Sequence, residues 1–106
     1  MANTLGEELS DSLSNITALI VKTQSKSDRT RLLKQQAQIA GQLQVFVDKV
    51  VDETLPEYDA AAEALNDANA EAETAKKKLD KVAGAIKKFA AAIDKLAALA
   101  AKVAAA

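Results

Sequence analysis

The sequence predicts an all-α protein on three observations. Ala supplies 24 of the 106 residues, and Ala is the strongest helix former because it loses no side-chain entropy and buries no polar group. Gly, Pro and aromatic residues are scarce: three Gly, one Pro, and only Phe46, Tyr58 and Phe89 as aromatics. A turn-rich sheet fold needs more of each. Finally, apolar residues recur at alternating steps of three and four over the whole second half, the period of a helix face held against a neighbour.

In the first half, Leu9, Leu13, Ile16 and Ile20 form one stripe. The same spacing continues into polar Thr23, Ser27 and Thr30, then resumes one position out of phase as Leu33, Ala37, Ala40, Val47 and Val51. A second row, Leu32, Ile39, Leu43, Phe46 and Val50, runs beside it. Two adjacent rows make a face wider than a two-stranded coil needs, which calls for more than one helical neighbour. The run Ser25-Lys26-Ser27-Asp28-Arg29 offers capping residues where the pattern slips. It is the weaker of two candidate breaks.

The stronger break is Thr54-Leu55-Pro56-Glu57. Thr followed three residues later by Glu has capping-box spacing, Pro suits a first helical turn, and the residue before Pro is steered away from the α region. Beyond it the seam reads Tyr58, Ala61, Leu65, Ala68, Ala72, Ala75, Leu79, Val82, Ile86, Phe89, Ile93, Leu96, Ala100 and Val103, apolar at every step. Its first part is mostly Ala and admits a close neighbour; from Leu79 onward it is a thick aliphatic row. The spacing predicts one helix over 57–104, about 70 Å long at 1.5 Å per residue.

These elements predict one helical domain over 1–106: a long, coiled-coil-like antiparallel hairpin with arms 5–54 and 57–104 of nearly equal length. A break near 25–29, giving a three-helix arrangement, is the alternative. The hairpin sets the large residues of 32–50 against the Ala-rich 61–79. Its wide face then finds a further partner in a second copy, as an antiparallel homodimer forming a four-helix bundle. The seam residues expected to carry that core and interface are Leu32, Ile39, Leu43, Phe46, Val50, Leu65, Leu79, Val82, Ile86, Phe89, Ile93, Leu96 and Val103.

Charge is balanced overall, 14 basic against 15 acidic residues, so no global excess draws the chain onto nucleic acid or an anionic membrane. Its distribution is uneven. Residues 57–73 carry six acids and no base, whereas 76–102 carry eight Lys against Asp80 and Asp94. Lys22, Lys26, Arg29, Arg31 and Lys34 make a second basic run. In the hairpin these lie level with Lys76, Lys77, Lys78, Lys81, Lys87 and Lys88, forming an anion-facing belt around the middle of the rod. Asp48, Asp52 and Glu53 join Glu57, Asp59 and Glu63 in an acidic turn tip.

The chain has no Cys and no His, so it lacks a thiolate nucleophile, an imidazole base and the usual zinc ligands. No Gly-rich phosphate loop or paired catalytic carboxylates stand out, and Glu71 and Glu73 point to different helix faces. The expectation is a protein that is not an enzyme and needs no cofactor or metal. It self-associates through its apolar seam and presents a charged surface to a protein partner. The alternative is a lipid-binding, membrane-surface or pore-type protein that lays the amphipathic stretch from Ile86 to Val103 in an interface. Nucleic acid is disfavoured because no aromatics interleave the lysines. Without a visible secretory signal or a continuous apolar span, cytoplasmic residence is the simplest reading, with leaderless export left open.

Overall fold

The computed structural model describes residues 5–48 and 54–105. They form four α-helices, α1 (Leu5–Lys22), α2 (Lys26–Asp48), α3 (Pro56–Lys77) and α4 (Val82–Ala105), with a 3-10 turn at Leu79–Lys81 joining the last two. The all-α reading holds. The long arms do not: each folds back on itself near its middle. The molecule measures 42 × 27 × 17 Å with a radius of gyration of 13.4 Å, the value of a compact chain of about 100 residues rather than of a 70 Å rod.

The first fold-back lies at Thr23–Ser25, overlapping the start of the weaker candidate break at Ser25. The Thr23 N–H still donates to Leu19 O (2.8 Å), and Ser25 Oγ then accepts from the Asp28 N–H (3.3 Å) as a cap for α2. The second fold-back, at Lys78, interrupts the single helix that the spacing predicts over 57–104. Lys78 adopts φ −131°, ψ 95°, donates its N–H to Thr74 O (2.9 Å), and its own carbonyl accepts from the Lys81 N–H (2.9 Å). At the start of α3, Leu55 takes the extended conformation that Pro56 imposes and is itself the N-cap, with no side-chain hydrogen bond. The N-cap position thus falls on Leu55, one residue after Thr54.

Side-chain contacts give the topology. Leu5 N–H meets Tyr58 Oη (3.2 Å), Ser12 meets Asn69, and Lys22 Nζ donates to Lys76 O (3.3 Å), so α1 and α3 run parallel. Gln35 Nε2 donates to Ile86 O (2.8 Å), and Gln38 shares a groove with Ile93, so α2 and α4 are parallel too. Glu57 faces Lys102 at 3.8 Å and Glu71 lies beside Gly84, so α3 and α4 are antiparallel. Around the bundle the order is α1–α2–α4–α3: α2 and α3 stand on one diagonal, α1 and α4 on the other. The large side chains of 32–46 consequently pack toward α1 and α4, not against the Ala-rich α3 as the hairpin required.

The core absorbs the seam. Leu32, Ile39, Leu65, Val82, Ile86, Phe89, Leu96 and Val103 are buried, and Leu43, Phe46 and Ile93 are half-buried against them. Val50 falls outside the described residues. Ala85, Ala92 and Leu99 form a second buried row on α4, because that helix packs on two neighbours at once. On α1 the buried face is rotated from the expected stripe and runs Leu5, Leu9, Ser12, Ile16, Leu19. One chain supplies four helices by itself, and most of the described seam residues are covered within it.

Leu79 is the exception, 47% exposed in the 3-10 turn. Leu79→Ala should therefore cost under about 1 kcal/mol, whereas Leu96→Ala, cut from the core, should cost about 2–5 kcal/mol. Urea unfolding followed by circular dichroism measures both. Equal losses would mean that residues 57–104 do form one continuous seam.

Candidate functional site: a basic end and a two-sided bundle

Because α1 and α3 end where α2 and α4 begin, both fold-backs lie at one end of the bundle. Lys22, Lys26, Arg29, Lys76, Lys77, Lys78 and Lys81 converge there, against Asp28, Glu73 and Asp80. All of these cations except half-buried Lys76 are exposed. Several complete the helix ends: Lys22 Nζ reaches Lys76 O, and Arg29 Nη2 donates to Thr23 O at 2.9 Å. Cationic donors at helix C-terminal carbonyls satisfy orphan acceptors and oppose the negative end of the macrodipole. Lys76 also pairs with Glu73 at 3.0 Å. Between the two fold-backs is a cleft of about 330 Å³ lined by Thr23, Ser25, Asp28, Leu79 and Asp80.

The rest of the expected belt runs down from this end. Arg31 and Lys34 on α2, and Lys87 and Lys88 on α4, are all exposed. Arg31 and Lys34 line a groove of about 330 Å³ between these helices, with Ile86, Ala90, Ile93 and Asp94. The two basic runs do come together, but as the capped end and upper flank of a bundle rather than as a girdle around a rod. Their neighbours are set by parallel α1–α3 and α2–α4 packing instead of one antiparallel pairing.

The opposite end is acidic. Glu7, Glu57, Asp59 and Glu63 gather where α1 and α3 begin, and Glu57 is countered by Lys102 at 3.8 Å. Asp52 and Glu53 of the expected acidic tip lie outside the described residues, and the Asp48 side chain is likewise not described.

A polar cluster that the sequence reading missed sits inside the α1–α3 interface. Asn69 accepts at Oδ1 from Asn15 Nδ2 (3.0 Å), and Ser12 Oγ lies 3.0 Å from the same atom. Its Nδ2 donates to Glu8 O (3.2 Å) and Glu8 Oε2 (3.0 Å). Both of those partners are pure acceptors, which settles the orientation of the amide. Ser12 Oγ is also 2.8 Å from Glu8 O, so its single proton serves the carbonyl or the amide oxygen, neither of which is a base. Glu8, Ser12, Asn15 and Asn69 are all buried. The cluster opens into a cleft of about 410 Å³ lined further by Asp11, Ser14, Asn66 and Glu73. The available signal was the spacing 8, 12, 15 on the same face as Leu5, Leu9, Ile16 and Leu19. A reading that counts only apolar residues passes over it.

Among the described residues no group of His, Cys, Asp or Glu has the arrangement to hold a metal ion, and no helix is long and apolar enough to cross a membrane. No protein-family model matches the chain, and no curated protein and no solved structure match it.

Proposed function

We propose that this chain is a non-catalytic helical interaction protein that offers its basic end to an acidic surface on a protein partner. The observation that supports it is the convergence of Lys22, Lys26, Arg29, Lys77, Lys78 and Lys81 around two adjoining fold-backs. Like charges repel, so gathering them on rigid helix ends costs stability through exposed, screened repulsion. An acidic partner reverses that cost and is steered toward the end by the same field. The lipid-binding reading has less support. Ile86, Phe89, Leu96 and Val103, the face that would enter an interface, are buried in the bundle, and exposing them forfeits the core.

The test uses a fluorescent poly-glutamate peptide and anisotropy at low salt. The chain should bind it, with affinity falling steeply as salt rises. Lys77→Glu, Lys78→Glu and Lys81→Glu together should weaken binding about tenfold or more. Failure to bind the peptide, or preferential sedimentation with phosphatidylserine vesicles, would overturn the proposal.

A further inference from the structure

Two helices on a diagonal turn their outer faces to opposite sides of the molecule, and here those faces are complementary. The outer face of α2 carries exposed Lys26, Thr30, Leu33, Ala37, Ala40 and Gln44 at helical spacing, flanked by exposed Arg29 and Lys34. It departs from an ordinary solvated face in two ways. Leu33 is 49% exposed, and residues 35–47 contain no charged side chain. Beside it, a Cβ built on Gly41 would meet nothing within 4 Å, so another backbone could come close there. The outer face of α3 presents exposed Asp59, Glu63, Asn66, Ala70, Glu73 and Lys77 at the matching spacing, with exposed Asp67 beside them.

We infer that the α2 face of one molecule docks on the α3 face of a second copy, with the two helices parallel. This rests on the interaction-protein reading above and names one partner for it. The parallel register sets Lys26 opposite Asp59, Thr30 opposite Glu63, Ala37 opposite Ala70 and Gln44 opposite Lys77. Arg29 and Lys34 then flank Glu63 and Asp67. Basic residues meet acidic ones along the first half, and small residues meet at the centre, where they permit close approach. The antiparallel register matches charge less well: with Ala37 again on Ala70, it would bring Lys26 toward Lys81 and Arg29 toward Lys78.

Because the two faces lie on opposite sides, the contact is heterologous: each copy keeps one unused α2 face and one unused α3 face. Such contacts propagate into open chains unless a rotation closes them. One helix against one helix buries less than the roughly 1,600 Å² of a standard stable interface, so the association is weak and salt-sensitive.

The test is sedimentation velocity on the full chain across a concentration series, at low and high salt. The wild type should grow in mass with concentration at low salt and return to monomer at high salt. Ala37→Glu blocks the α2 face and Ala70→Glu blocks the α3 face. Both sites are exposed and Glu is a good helix former, so unchanged thermal melts serve as the folding control. Each variant alone should be monomeric. Their mixture retains one working face of each kind and should form a one-to-one dimer and nothing larger. A wild type that stays monomeric, a single variant that still self-associates, or a mixture that remains at monomer mass would overturn the inference. Poly-glutamate binding by the same monomeric variants tests the basic end independently, so failure of one contact is distinguishable from failure of the other.

Discussion

Phe89→Ala should lower the stability of the bundle by about 3–5 kcal/mol, the largest effect expected of any single truncation here. Phe89 is the largest fully buried side chain and lies on the inner face of α4 between two rows of buried aliphatic residues. Truncation removes its transfer free energy and leaves a void that rigid helices close only in part. Domains of this size have about 5–15 kcal/mol in total, so the variant should sit near the edge of folding. Its melting temperature should drop by roughly 15 °C or more. Phe89→Leu, which keeps most of the volume, should lose far less. Urea and thermal unfolding by circular dichroism measure both. A loss below about 1 kcal/mol would place Phe89 in solvent and contradict the packing of α4 in the four-helix core.

Asn69→Leu should cost about 2–4 kcal/mol although it exchanges a polar side chain for an apolar one of similar size. Asn69 receives Asn15 and Ser12 at one end of its amide and serves the Glu8 carboxylate and carbonyl at the other. Removing that hub takes an acceptor from the Asn15 amide and two hydrogen bonds from Glu8 in a buried interface, a desolvation cost that is then less well compensated. The cluster acts as a unit, so adding Glu8→Met, Ser12→Ala and Asn15→Leu to Asn69→Leu should recover most of the loss. A dry α1–α3 interface would then be stable without its polar registration. If the quadruple variant is less stable than Asn69→Leu alone, the polar cluster is a source of net stability rather than of register.

The helical class was legible because composition and period agree at every level. So was the inner face of residues 58–103, since Leu65, Phe89, Leu96 and Val103 sit where the seam placed them. The fold-back at Lys78 was not legible, and the reason is geometric. A chain that doubles back while keeping the same face inward preserves the phase of its apolar row. Ala75, Leu79 and Val82 therefore read as continuous across a break that contains neither Gly nor Pro. At Thr23–Ser25 the phase does slip, and there the sequence signalled the change. The choice of neighbours was hidden for a different reason. Leu33, Ala37 and Ala40 repeat as regularly as Leu32 and Ile39, yet the first set faces out and the second in. Periodicity cannot rank two apolar rows on one helix. The basic end was legible as two charged runs but not as an end, because its assembly depends on both fold-backs.

The side-by-side placement of two helical hairpins means that this molecule is held together in the manner of a tethered complex. Among the described residues, the main contacts between the halves, α1 on α3 and α2 on α4, are ones that two separate chains could make. The covalent link between residues 48 and 54 then acts chiefly by keeping each half at high effective concentration for the other. Severed at that link, the two pieces should retain their complementarity and find each other again as a bimolecular pair.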